Sequence, residues 1–294
     1  YAFYQCKSIT GNLVIPDATT SIGNYCFTSC TFNGTLTLGN GLQTIGESAF
    51  GGNQSLVGDL TIPVTVTSLG ASAFSGNVGF NRHLTIDSGI NIPFACFYDC
   101  RNFSKLTIAE GVNIIGESAF ENLSSITGNL KLPNSITSIG ARAFFGCSKI
   151  DGYLSLGPNI TSIGDCAFVK SIDSEEIIQE KEKLSTDPDM DYYDRIIYDD
   201  TYYSAIFSKI YIQSSLPPTI TIKSFGLKET TISDKRFIKR EIVERQPGWS
   251  RKRQYDIYNA YRYRGSYPNH LIVPTGCTAN YSDWEVDLIE EVDF

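Results

Sequence analysis

The chain is poor in the residues that most often carry chemistry. It has two histidines and one methionine in 294 residues. A histidine triad or His-built metal site would need His83 and His270, and each merely precedes an apolar alternating segment, with no companion at ligand spacing. No Gly-rich phosphate loop, nucleophile elbow or HExxH string occurs, so no sequence signal supports an enzyme, a cofactor or a metal. No run approaches the roughly 18 apolar residues of a membrane-spanning helix. The start at Tyr1 has neither a basic nor an apolar leader segment. Basic excess is also missing. The balance of 24 Lys and Arg against 32 Asp and Glu gives a net charge of −8, which disfavours nucleic acid as a partner.

What the chain does have is a period. Alignment on Ile-Gly-x-x-Ala-Phe places phenylalanine at Phe27, Phe50, Phe74, Phe97, Phe120, Phe144 and Phe168, with Phe3 extending the series backward. A fixed interval of this kind means units that cannot bury their apolar side alone and must stack. Each unit also carries an alternating segment, among them Leu13–Ile15, Leu36–Leu38, Leu60–Ile62, Leu84–Ile86, Leu106–Ile108, Leu130–Leu132 and Leu154–Leu156, which predicts short strands with the outer residues facing inward. A second apolar pair, such as Val66/Leu69 or Ile136/Ile139, leads into the corner. The expected fold is a solenoid of about eight coils of 23–24 residues, built from short parallel strands with tight or briefly helical corners. The glycines at 23, 46, 70, 116, 140 and 164 imply a backbone that takes a positive φ or passes close to its neighbour, and Pro93 breaks this column. Extra glycines at 11, 34, 58, 128 and 152 read as bulges.

The eight cysteines follow the repeat. Cys6, Cys30, Cys100 and Cys147 take the slot three residues after the ring, which Asn53 and Asn77 take elsewhere; Cys26 and Cys96 replace the alanine before it. The pairs Cys26/Cys30 and Cys96/Cys100 have zinc-like spacing, but a thiol in an inward column behaves as a small apolar group. Asp187, Asp189 and Asp191 are spaced like the opening of a calcium loop, yet Tyr192 stands where glycine is needed and Tyr198 where the bidentate glutamate is needed. A solvated acidic loop is the simpler reading.

The string Leu-Thr-Ile-Pro, Val-Thr-Ser-Leu-Gly, Ala-Ser-Ala-Phe across 60–74 resembles the BspA-like leucine-rich repeats of bacterial surface proteins. The resemblance covers 1–168, resumes at Ile210–Ile212, and ends in Leu271-Ile-Val273-Pro274 with Tyr281 and Trp284, similar to the closing segment of such proteins in gut anaerobes. It implies a leucine-rich-repeat solenoid that is extracellular, secreted or anchored to the outer membrane, and a role in adhesion to host proteins or other cells. Because the chain opens inside a corner, either upstream coils or a covering domain is expected at that end, with a signal peptide outside the chain.

Two parts are expected: the solenoid over 1–172, and a degenerate region over 173–294 with an acidic insertion (173–204), a basic Tyr/Arg-rich insertion (228–268) and a cap (271–294). The second insertion alternates over 237–244 and 255–264 around Pro247-Gly248, which predicts a projecting hairpin. It either lies against the acidic insertion or offers Trp249, Tyr255, Tyr258 and Arg262 to a protein or glycan, being of the types common in binding hot spots. The expected function is a non-catalytic, monomeric binding or adhesion protein; the alternative is a structural spacer for another domain.

Overall fold

A computed structural model describes residues 1–171, 203–205, 209–213, 219–220, 270–274 and 288–292. The repeat coils into a solenoid with two strand-bearing walls. In chain order the first wall is β1 (Leu13–Val14), β3 (Leu36–Thr37), β5 (Leu60–Ile62), β7 (His83–Ile86), β8 (Lys105–Ile108), β10 (Leu130–Lys131) and β12 (Leu154–Leu156). The second is β2 (Ser21–Ile22), β4 (Thr44–Ile45), β6 (Ser68–Leu69), β9 (Ile114–Ile115), β11 (Ser138–Ile139) and β13 (Ser162–Ile163). All pairing within these walls is parallel and in register from coil to coil, as in Leu60↔Leu84↔Leu106 and Ile115↔Ile139↔Ile163. The strands alternate as expected: Leu60 and Ile62 are buried, and Thr61 between them is exposed.

The corners are tight turns, and no helix occurs among the described residues. This settles the choice left open by the sequence, and the cause lies in the backbone. The residue two before each ring, from Tyr25 to Cys166, has φ between 47° and 56°, and the residue two after, from Gln5 to Gly146, between 54° and 73°. These left-handed residues turn the amides of three alternate positions to one side, where they donate to the next coil: Ser48 to Ala71, Phe50 to Ala73 and Gly52 to Ser75, at 2.8–2.9 Å. A helical corner would direct those amides back into its own turn.

The six column glycines do not take a positive φ. Their second reason holds for five of the six, Gly23 having open space: a Cβ at Gly70 would lie 2.3 Å from the Glu47 amide nitrogen, and one at Gly140 2.5 Å from that of Glu117. The left-handed strain falls two residues later, on tyrosine, serine, arginine or cysteine, and on Ala95 after Pro93. Of the bulge glycines, Gly11, Gly58 and Gly128 have φ of 79–91°, while Gly34 and Gly152 instead press against Asn12 and Asn129 of the preceding coil.

The interior is a run of stacked rings. Phe3, Phe27, Phe50, Phe74, Phe97, Phe120, Phe144 and Phe168 follow one another at centroid distances of 5.0–5.5 Å and interplanar angles of 20° or less. Beside them, Phe80 stacks on Phe103 at 5.3 Å in a second inward column with Phe32, Leu56, Ile126 and Ile150. Beyond residue 172 the first wall continues: β12 pairs in parallel with β16 (Lys209–Ile212), then β18 (His270–Pro274), then β19 (Leu288–Val292), while β13 pairs with β17 (Thr219–Ile220). A short antiparallel pair, β14 (Val169–Ser171) with β15 (Tyr203–Ala205), stands outside both walls. In the last strand Glu291 pairs in register with Val273.

Phe120 is fully buried between two rings, whereas Phe3 has one ring neighbour in the column and remains 43% exposed. Phe120→Ala is expected to cost about 3–5 kcal/mol, and Phe3→Ala well under half of that. Urea melts followed by circular dichroism check this. Equal losses at the two positions would contradict the interior assignment.

Candidate functional site

The residues nominated from sequence as a partner surface, Trp249, Tyr255, Tyr258 and Arg262, lie outside the described residues, as do the spaced carboxylates Asp187, Asp189 and Asp191. The site must therefore be sought on the solenoid. Its interior is devoted to packing, and its buried polar groups serve the stack.

The slot three residues after the ring shows this most directly. Asn53 donates through Nδ2 to the carbonyls of Phe27 (2.9 Å) and Phe50 (2.7 Å), and its Oδ1 accepts the Cys30 amide at 2.9 Å. Asn77 does the same one coil on, bonding Phe50, Phe74 and the Asn53 amide. Where cysteine fills the slot, its thiol points at the same carbonyl: Cys30 at Phe3 (2.9 Å), Cys100 at Phe74 (3.0 Å) and Cys147 at Phe120 (3.3 Å). Asparagine and cysteine are thus two answers to one unsatisfied carbonyl. The seven described cysteines are free, and no group of three or more His, Cys, Asp or Glu side chains among the described residues could hold a metal. Burial pushes the Cys100 and Cys147 thiols up to about 12, and the Cys96 thiol well above its ordinary range.

Glu121 is the one buried carboxylate among the described residues. It accepts two bonds from Arg142 (Nε 3.0 Å, NH2 2.6 Å) and one from the Ser118 hydroxyl (2.7 Å), while the Arg142 guanidinium lies 3.9 Å over the Phe145 ring. A buried carboxylate that accepts three bonds from its own and the next coil is a structural strut. His83 is bonded to the Thr107 hydroxyl at 2.8 Å and stands in register with Lys105.

The outward surfaces differ in kind. The first wall shows Thr37, Thr61, Thr85 and Thr107 in one row; Ser155 is in the same row but is buried, beside Tyr211 of β16. On the second wall the hydroxyls of Thr67, Thr137 and Thr161 bond the backbone of the preceding coil, and Ser21–Thr44 and Ser138–Ser162 bond each other. The third surface is the outside of the corners, which the sequence reading passed over. Here coil four departs from the rest: beside Pro93, Phe94 is 53% exposed, and past the ring Tyr98 is 37% exposed. The signal was legible as an aromatic, Phe94, where other coils have Ala71 or Glu117, followed by Tyr98 where they have Ser75 or Glu121, a slot that Tyr4 and Phe145 also fill.

The thiols give a pH dependence whose sign can be stated. Below pH 9 the thiols of Cys100 and Cys147 are neutral in folded and unfolded chains alike; between 9 and about 12 only the unfolded chain ionises them, so stability falls as pH rises. The urea midpoint of the parent should drop across this window more steeply than that of the Cys100→Ser, Cys147→Ser double variant. Parallel curves would show that these thiols are exposed.

A family model described as "BspA type Leucine rich repeat region" matches six copies, over residues 1–127 and 90–187. Six is fewer than the eight coils expected from the ring spacing. A leucine-rich cell surface protein from Faecalibacterium prausnitzii is 26% identical over 57% of this chain and 46% of its own length, with a TM-score of 0.38. A leucine-rich repeat protein from Bacteroides ovatus is 19% identical over 55% of each chain, at 0.28. The pneumococcal vaccine antigen PcpA is 15% identical over 97% of this chain and 68% of its own, at 0.40. The chain thus spans about half the length of the first two. No curated protein matches it. The in-register coils and the six matched copies, over well more than half of the sequence, agree that the chain belongs to the BspA-type leucine-rich-repeat family.

Proposed function

We propose that the protein is a non-catalytic binding or adhesion protein of the bacterial surface, secreted or outer-membrane-anchored, that acts as a monomer and presents its solenoid to a host protein, another cell-surface protein or a glycan. The observation that carries this reading is the division of labour in each coil. The inward columns are filled by apolar side chains and by Asn or Cys bonded to backbone, so what varies from coil to coil is what faces out. The described charged residues support a partner other than nucleic acid, since the two arginines of the corner surface, Arg101 and Arg142, are each paired to a carboxylate. No described helix is long and apolar enough to cross a membrane. The proposed organisation is a repeat body over 1–172, followed by 173–294 with its two insertions and a closing segment.

A second reading, a spacer that carries another domain, draws on the internally bonded hydroxyls of the second wall, which are engaged by the stack itself. Retention on immobilised host-matrix proteins and on a glycan array, with the intact chain and one lacking 228–268, separates the two. Binding by the intact chain is expected. Loss on deletion would assign contact to the basic insertion with Trp249, Tyr255, Tyr258 and Arg262, and retention would assign it to the solenoid. If the intact chain is retained by neither surface, the spacer reading stands.

A further inference from the structure

The outside of the corners forms a continuous surface, because side chains two before and one after the ring meet there. Tyr1 and Tyr4 pack edge to face at 5.6 Å, and Arg142 covers Phe145 at 3.9 Å. Two before the ring and one after it, the coils of Phe50 and Phe74 carry only small residues, Ser48 and Gly51 on the first and Ser72 and Ser75 on the second; three before it stand Glu47 and Ala71. The coils on either side carry aromatics. Upstream stands Tyr25, stacked on Tyr1 at 5.0 Å and donating its phenol proton to Glu47. Downstream stand Phe94 and Tyr98, with no stacking partner among the described residues. The result is a shallow trough two coils wide with aromatic walls. The coils of Phe27 and Phe97 that bear the walls are three steps apart, at 5.4, 5.2 and 5.5 Å, or about 16 Å in all.

The chemistry of the trough is specific. The hydroxyls of Ser48, Ser72 and Ser75 make no hydrogen bond among the described residues, in contrast to the bonded hydroxyls of the second wall. The one charged side chain of the floor, Glu47, accepts the phenol proton of Tyr25. Exposed ring faces, free hydroxyls and a single carboxylate that is already engaged suit a ligand that is itself uncharged, with apolar C–H faces and many hydroxyls. A strip about 16 Å long is far short of the roughly 800 Å² per partner that a stable protein interface covers.

We propose that this trough binds a neutral oligosaccharide, whose pyranose faces lie on Phe94, Tyr98 and Tyr25 while its hydroxyls meet Ser48, Ser72 and Ser75. The proposal rests on the reading that the protein presents a surface to a partner, and it names the partner's class and place. It also explains why coil four differs: Pro93 occupies the glycine column, and the aromatics beside it stand at the edge of the small-residue floor.

The test uses the full 294-residue chain with cellotetraose, laminaritetraose, mannotetraose and chitotetraose, read by saturation-transfer NMR. At least one should bind with a dissociation constant below about 1 mM. Phe94→Ala with Tyr98→Ala should weaken that binding about ten-fold or more, as should Ser75→Trp, which fills the floor. Unchanged circular-dichroism melts would show that these surface variants remain folded. The proposal is overturned if none of the four sugars binds, or if the double variant binds as the parent does. A loss seen only in Trp249→Ala, Tyr255→Ala would place the sugar on the insertion and overturn the trough alone. Retention on matrix proteins with no sugar bound would likewise remove the trough and leave the adhesion reading in place.

Discussion

Everything in the molecule depends on the contact between one corner ring and the next. A ring at 5.0–5.5 Å from its neighbour, stacked nearly parallel to it, requires coils to sit at strand spacing with no slip along the chain. That closeness removes the Cβ at the glycine column, because backbone of the preceding coil occupies the place where it would stand. It also requires the corner to send its amides forward, which two left-handed residues per coil accomplish. Each left-handed non-glycine residue is unfavourable by itself, roughly 1–2 kcal/mol. Three interchain-like bonds per corner and a buried ring worth about 1.5–3 kcal/mol offset it.

The slot after the ring shows how one backbone demand selects unlike side chains. The phenylalanine carbonyl is buried and looks for a second donor. Asparagine supplies two donors and an acceptor, so it also ties the amide of its predecessor and links Cys30, Asn53 and Asn77 through three coils. Cysteine supplies one weak donor in less volume. Leu123 supplies none, and the Phe97 carbonyl of the coil before it is left with the Cys100 amide at 3.3 Å. The same logic explains why the zinc-like spacing of Cys96 and Cys100 has no metal meaning: Cys100 is directed at a carbonyl, and both thiols are fully buried.

The periodic features were legible because each is a column, repeated often enough to stand above the noise of any one coil. Strand positions, inward rings and the buried thiols follow from spacing, and the resumption at Ile210 and Leu271 follows from the resemblance to the family. The corner was not legible in the same way. Serine, arginine, alanine and cysteine share the left-handed position two before the ring, and no side-chain property unites them. The strain is imposed by the stack, so it leaves no trace in composition, and the glycine that does repeat marks a close approach instead. Ser155 was likewise unreadable: its row predicts exposure, and only its pairing with Tyr211, some fifty residues on, shows why the expectation fails there.

A solenoid with a filled interior has little freedom to place function. Any change to an inward column is felt by two neighbours, whereas an outward residue answers to its own coil and to the hydroxyl or charge beside it. Selection for a partner can therefore act only where consecutive coils differ on the outside while agreeing on the inside. Coil four meets that condition. Phe97 stacks on its neighbours at 5.5 Å on both sides, like every other interior ring, while on its outer side Phe94 interrupts a column of small, polar and acidic residues, and Tyr98 shares its column with Tyr4 and Phe145. An exposed aromatic gains nothing for the stack, and two of them bordering a floor of unbonded serines form the feature of the described surface that packing does not explain.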